Sequence, residues 1–444
     1  MKIVIAGAGE VGTHLAKMLS NEQQDIILLD SNQAALDNID SNYNLMTWKG
    51  STSSMNTLRD IGVSNCDLFI AVTPYETKNI TSCTIAKALG SKKTVARIDN
   101  HEFMLPQNKR VLSNMGVDDV IYPENLASME IATSLEHNWT RYWGDLHKGE
   151  LMILGVKLRA NSKLANCELR NLPVQSHNFH IVAIKHEQTT IIPTGSDIIS
   201  PDDIVYFITT KEHVAEIREL CEKTQRPIKS IAIAGASRIG LRFSLQYHEK
   251  YDIKIIESDI SKCEYAAELL PSCEVVCGDV RNVELLRDNN LFRYDAFMAL
   301  TGSSETNILA CLTAKEFNVA KTIAEVENIQ FIPQAEKLNI GTIINKKLLA
   351  SSRIFKILLD ADTDNSKCLT LADAEVAEIQ VKKGANITKR VVRDLHLPYG
   401  MTLGAYIRDG RCHLIDGSTQ IEVGDYVVVF CLTGLLHKIE KWFN

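Results

Sequence analysis

Apolar residues fall in short uninterrupted runs separated by stretches with helical spacing. In the first third of the chain the runs are Ile3–Ala6, Ile26–Leu29, Leu45–Trp48, Leu68–Val72, Val95–Ile98 and Val120–Tyr122. Between the first two, Val11, Leu15, Met18 and Leu19 recur on one face of a helix. Strands without polar alternation predict cover on both sheet faces, and right-handed crossovers then give a doubly wound parallel sheet.

The pattern then repeats. Shifted by 228 positions, Ile3–Gly12 (IVIAGAGEVG) lies on Ile231–Gly240 (IAIAGASRIG) with six of ten residues identical. The same shift pairs Gly50 with Gly278, Thr73 with Thr301, Asn79 with Asn307, and TVARIDN (Thr94–Asn100) with TIAEVEN (Thr322–Asn328). A single register held over about 100 residues identifies a duplication. A smaller β-rich segment follows each copy. Leu169–Leu172 resembles Val392–Leu395, and Gly195-Ser196 with Asp203 matches Gly417-Ser418 with Asp425, each leading into a strand run. The organisation is A–B–A′–B′, with units at 1–123, 140–224, 228–345 and 366–444 and a hinge near Lys223–Lys229. The fold class expected is α/β: two doubly wound Rossmann-type sheets, each followed by a small α+β module.

Composition narrows the function. With 444 residues, 45% hydrophobic, 23% charged and a net charge of −7, the chain is an ordinary globular one, mildly acidic. That balance argues against a nucleic-acid binder and against a polybasic membrane anchor. No run approaches the ~20 apolar residues of a bilayer span, and the N-terminus carries no signal-peptide pattern. The eleven cysteines, among them Cys368, are scattered and include no C-x-x-C pair, so reduced buried thiols and no metal site are expected.

The candidate chemistry lies in the glycine loops. Ile3–Ala6 runs into Gly7-Ala8-Gly9-Glu10-Val11-Gly12, which opens a helix, and Asp30 ends the next strand. In this context Gly7 allows a tight turn, Gly9 admits a pyrophosphate, Gly12 lets the helix approach the strand, and Asp30 accepts from ribose hydroxyls. The helix N-terminus adds unsatisfied N–H groups and partial positive charge. Ser31-Asn32 follow Asp30, so no cation awaits a 2′-phosphate. NAD or NADH is favoured over NADP, while ATP or ADP presents the same adenosine diphosphate. The second loop reads Gly235-Ala236-Ser237-Arg238-Ile239-Gly240. Ser237 narrows the pyrophosphate approach, Arg238 supplies a cation where the first copy has Glu10, and Glu257 takes the Asp30 position. This copy either retains nucleotide binding or is a structural relic. Arg97 is expected within reach of phosphate where the second copy has Glu325, and the charge reversal predicts different ligands or ligand poses.

No catalytic module accompanies these loops. His101, His177, His180 and His186 sit in polar contexts, and no zinc spacing, nucleophile elbow or Walker loop appears. Two nucleotide pockets without an acid–base module read as a sensor and not as an enzyme. An NAD-dependent oxidoreductase remains the alternative, and a Rossmann-type transcription regulator would need a basic DNA-binding segment that is not visible.

IVIAGAGEVGTHLA, the Asp30 strand end, AVTPYETKNI and ARIDN, each A unit being followed by a small β-rich one, resemble the tandem RCK (regulator of potassium conductance, or KTN) regulatory subunits of Trk-type potassium uptake systems. The resemblance covers essentially the whole chain. It implies a cytoplasmic subunit, peripheral on the inner face of the membrane, docked on a potassium channel subunit of TrkH or TrkG type. It also implies a homo-oligomeric ring, a tetramer by that likeness, that responds to NAD(H) or ATP/ADP. By the same likeness Gly7, Ala8, Gly9, Glu10, Val11, Asp30, Ser51, Thr52, Thr73, Pro74 and Arg97 line the first site. Gly235, Ala236, Ser237, Arg238, Ile239, Glu257, Asp279, Thr301 and Glu325 are the matching positions of the second.

Overall fold

In a computed structural model, the described residues are all except 21–23, 38, 40–42, 173–177, 188, 362–366, 372–373, 433–434, 436–441 and 444. By contact the chain divides into two compact bodies. One comprises Met1–Met129, Ser237–Gln246 and Ile344–Leu358, and the other Glu130–Ala236, Tyr247–Ile343 and Leu359–Asn444.

The first body is built on six parallel strands: β1 (Lys2–Ala6), β2 (Asp25–Asp30), β3 (Met46–Lys49), β4 (Leu68–Ala71), β5 (Lys93–Arg97) and β6 (Asp119–Ile121). Their order is β3-β2-β1-β4-β5-β6, so the chain reverses its direction of winding between β1 and β4. Ligands of such sheets bind outside the carboxyl ends of the strands at this switch point. Val4, Ala6, Phe69, Ala71 and Ala96 from one sheet face pack with Leu58, Ile80, Cys83, Ala86 and Leu112 of the covering helices. The helix Glu10–Ser20 buries Val11, Leu15 and Leu19 together with Gly12 and Ala16. Met18, expected on that face, is only half-buried. The buried stripe follows i, i+4 from positions 11 and 12, and Met18 lies at its flank.

The second body repeats the parallel sheet with β12 (Ser230–Ala234), β13 (Asp252–Glu257), β14 (Glu274–Cys277), β15 (Ala296–Ala299), β16 (Lys321–Glu325) and β17 (Thr342–Ile344), below in chain order after five strands of a different kind. Its order, β14-β13-β12-β15-β16-β17, is that of the first. Those five strands are β7 (Tyr142–Leu146), β8 (Leu151–Lys157), β9 (Phe179–His186), β10 (Thr189–Ile191) and β11 (Ile204–Thr210), in the order β10-β9-β11-β8-β7. A matching sheet, β18-β19-β22-β20-β21, is made by β18 (Lys367–Leu371), β19 (Ala374–Gln380), β20 (Met401–Arg408), β21 (Arg411–Leu414) and β22 (Tyr426–Leu432). The β7–β11 and β18–β22 pairings are antiparallel. The two small sheets share one core, in which Ile153, Val182 and Ile208 of the first meet Val376, Ile407, Val428 and Phe430 of the second. Gly404 is needed there, because a Cβ would come within 2.7 Å of the Phe430 ring.

Ten cysteines are free thiols, most of them buried; the side chain of Cys368 lies outside the described residues. Cys83 and Cys311 occupy equivalent places in the duplicated sheets. Each thiol donates to the next strand, to Val95 O and Ile323 O, both at 3.4 Å. Burial pushes the Cys83 thiol up strongly and that of Cys311 to about 12, so both are inert core residues. Of the histidines, His180 is half-buried with Nδ1 3.2 Å from Ile415 O, and desolvation lowers its pKa. His186 bonds Asp203, His101 receives a hydrogen bond from Arg242, and His177 lies outside the described residues. No described helix is long and apolar enough to cross a membrane.

Candidate nucleotide site

The loop after β1 is shaped by three glycines with three different demands. Gly7 has φ +118°, and a Cβ there would press within 2.9 Å of Thr73 N, so only glycine fits the turn between β1 and β4. A Cβ on Gly12 would sit 1.8 Å from Gly7 O, which measures how closely the helix crosses the strand end. Gly9 is different: a Cβ would meet nothing within 4 Å. The backbone there faces open space at the head of the Glu10–Ser20 helix, whose first N–H groups have no intrahelical acceptor. Open backbone at a helix N-terminus is a geometry in which a diphosphate can be cradled.

Asp30, at the end of β2, completes the turn. Its Oδ2 accepts from Ala8 N at 2.7 Å and its Oδ1 from Asn32 N at 2.8 Å. Each carboxylate oxygen can accept more than one hydrogen bond, so capacity remains for ribose hydroxyls. Thr73 and Arg97 are tied together by Asn79. Thr73 N and Oγ1 both donate to Asn79 Oδ1, at 2.9 and 2.6 Å, while Asn79 Nδ2 donates to Thr73 O and Arg97 O, both at 2.9 Å. The amide thus fixes the ends of β4 and β5 beside the crevice. The Arg97 guanidinium stands 4.0 Å from the buried Glu124. Thr52 is buried and accepts from Ser82 Oγ at 3.2 Å, whereas Ser51 and Pro74 are exposed.

Sequence reasoning missed one cation at this loop. Lys347, 337 residues from Glu10 in the sequence, has an ammonium 2.6 Å from Glu10 Oε2 and a side chain only 11% exposed. The same cation, after burial and Lys17, holds the His14 pKa down. Nothing in the local pattern around Lys347 signals this; only the tertiary fold delivers it.

The second copy reproduces the frame with altered chemistry. Gly235 has φ +102° and faces Leu300 O, as Gly7 faces Thr73. Ala236 N donates to Glu257 Oε2 at 2.7 Å, and Glu257 Oε1 accepts from Ser258 N and Asp259 N at 2.8 and 3.0 Å. Thr301 and Asn307 repeat the clamp, with Asn307 Nδ2 donating to Glu325 O at 2.8 Å. The Glu325 carboxylate is buried. Ser237 Oγ accepts from Gly240 N at 3.3 Å, and Ile239 is buried. Two expected ligand contacts are otherwise engaged. Arg238 pairs with Asp99 at 2.8 Å, and the half-buried Asp279 with Arg281 at 2.6 Å.

Because each clamp satisfies two backbone carbonyls and an N–H away from water, Asn79→Ala and Asn307→Ala should each lower stability by about 1–3 kcal/mol. The readout is the urea midpoint, and equal midpoints for wild type and both variants would contradict the clamp.

The TrkA-N domain profile matches residues 3–123 and 231–346, together more than half of the chain, and the TrkA-C domain profile matches 153–222. The chain is 29% identical over 441 residues to the Trk system potassium uptake protein TrkA of Vibrio alginolyticus, covering 97% of this chain and 95% of that one. It is 28% identical to the protein of that name from Haemophilus influenzae (100% and 99% covered) and 27% identical to an Archaeoglobus fulgidus homolog (100% of both). Among solved structures, the GsuK RCK domain aligns with a TM-score of 0.60 at 14% identity, covering 100% of this chain and 94% of that one. The GsuK channel bound to NAD aligns at 0.61 and 14%, covering 100% and 78%.

Proposed function

Since this chain belongs to the TrkA-N domain family and carries that domain twice, we propose that it is the nucleotide-sensing regulatory subunit of a Trk-type potassium uptake system. Its domains are 1–123, 140–224, 228–345 and 366–444. The observation that carries the reading is the first glycine loop, where open space over Gly9 adjoins an Asp30 carboxylate already oriented by Ala8 N–H. Asp30 accepts the ribose hydroxyls of an adenosine, and the N–H groups heading the Glu10–Ser20 helix take the diphosphate. Lys347, poised on Glu10, adds a cation next to it. NAD(H) is the ligand assigned to this site, and ATP or ADP offers the same adenosine diphosphate. The NAD-bound relative of like fold supports that assignment.

The bound nucleotide supplies a signal. It acts by binding one conformation of the assembly better than another and so shifting the population of both. In this reading the chain sits on the inner face of the membrane, as a homo-oligomeric ring of four, on a channel subunit of TrkH or TrkG type that provides the pore. The names of the full-length relatives support potassium uptake as the process. The deciding experiment is potassium flux through the membrane subunit in vesicles, with and without this protein, while NADH, NAD, ATP and ADP are varied singly. Flux that changes with nucleotide only when the protein is present is expected; flux indifferent to it overturns the reading.

A further inference from the structure

A group of metal-ligating side chains lies far from both glycine loops, where the two small antiparallel sheets meet. His147 occupies the tight turn between β7 and β8, with φ +45°, and Glu150 follows it at the start of β8. Cys412 reaches the same place from β21. One ligand atom from each of these three lies within 4.8 Å of the others. Cys412 Sγ donates to Glu150 Oε2 at 3.3 Å. The group contains a thiol, an imidazole and a carboxylate from segments 262 residues apart.

A second observation points the same way. Glu378 on β19 is 6% exposed, with Oε1 3.5 Å from His147 Nδ1. Its Oε2 is buried with no hydrogen-bond partner among the described residues. A buried carboxylate half-satisfied by an imidazole is costly as a purely structural device. It is, however, the usual companion of a metal-bound histidine: it takes the proton on one ring nitrogen and fixes the other toward the ion.

The geometry points to a site for one divalent cation of the zinc class, held by His147 Nε2, Glu150 and the Cys412 thiolate, with Glu378 as the positioning residue. Ligand bonds of about 2.0–2.3 Å in a tetrahedron separate donor atoms by about 3.3–3.8 Å. The Cys412–Glu150 separation is already there, and the remaining donors need close by about an ångström. Mixed sulfur, nitrogen and oxygen donors select zinc or cobalt over magnesium or calcium, which take oxygen. Three protein donors leave one position for water. On binding, the thiol proton leaves to solvent and the Sγ–metal bond replaces the Sγ–H···Oε2 hydrogen bond. The ion joins the β7–β8 turn of one small sheet to β21 of the other, so it would stiffen the pairing of the two C-terminal modules.

The test uses the full-length chain, stripped with a chelator and titrated with Co²⁺, then Zn²⁺. One equivalent of Co²⁺ per chain is expected, with a thiolate-to-cobalt charge-transfer band that Zn²⁺ abolishes. Cys412→Ser should remove the band, and Glu378→Gln should keep it while weakening affinity about 10–100-fold. Cys273→Ser, on a thiol outside the cluster, should leave both unchanged. If Cys412→Ser does not fold, as judged by circular dichroism, Cys412→Ala takes its place with the same expectation that the band is lost. Absence of the band in wild type, or its survival in the variant used, overturns the site.

Discussion

Asp30→Ala is expected to weaken NADH binding at the first loop by about 100-fold or more, measured by titration calorimetry on the full-length protein. The ribose hydroxyls lose an ionised acceptor, and hydrogen bonds to charged groups contribute about 1.5–3 kcal/mol each. Two of them correspond to at least two orders of magnitude in Kd. Part of the effect is preorganisation. Asp30 also receives Ala8 N–H at 2.7 Å and Asn32 N–H at 2.8 Å, so it holds the loop in the shape the nucleotide meets. Asp30→Asn removes the charge and keeps one of the two acceptors, because the amide oxygen still accepts from Ala8 N–H while its NH2 group cannot accept from Asn32 N–H. It should bind about tenfold or more weakly, with a melting temperature between those of Asp30→Ala and wild type. An isotherm for Asp30→Ala that matches wild type would remove the first loop from the nucleotide site.

The glycine loop and its acidic partner were legible in the sequence because they are local. Gly7, Gly9, Gly12 and Asp30 lie within 24 residues, and strand, turn and helix succeed one another in the order the motif requires. The parallel sheets were legible for a related reason: strands buried on both faces read as unbroken apolar runs, and the duplication doubled the signal. The Asn79 clamp was half visible. Its repeat at Asn307 marked it, but only the structure shows the amide bridging two strand ends.

What the sequence hid is long-range. Lys347 reaches Glu10, and Arg238 reaches Asp99, because the fold returns distant segments to the first body. A charge on a helix surface reads the same whether it faces water or an acidic partner. The expectation that Arg238 stands as a cation for the second loop rested on its place in the motif alone, and its guanidinium is held by Asp99. The cluster around His147 is the extreme case, since Glu378 and Cys412 lie 231 and 265 residues after it and no spacing rule links them.

The glycines of the first loop make a second large prediction, in which folding and binding come apart. Gly12→Ala places a methyl 1.8 Å from Gly7 O, 3.0 Å from Gly7 C and 3.3 Å from Val72 Cγ2. The closest of these is backbone at the end of β1, pinned by Gly7 N–H donating to Leu29 O at 2.8 Å, so it has little room to yield. The helix Glu10–Ser20 must instead lift by more than an ångström, pulling Val11, Leu15 and Leu19 out of register with the sheet. Overpacking of this kind costs typically 1–3 kcal/mol, and more where backbone is the obstacle. The variant should melt well below wild type and lose nucleotide binding with it. Gly9→Ala offers the opposite case: its methyl enters open space, so the melting temperature should hold while the diphosphate is kept from the backbone and Kd rises about tenfold or more. The pair is read by thermal melting and calorimetry on the same preparations. A Gly9→Ala chain that binds NADH like wild type would show that the ligand does not lie over this turn. A Gly12→Ala chain that melts like wild type would show that the helix does not cross the strand at the separation described.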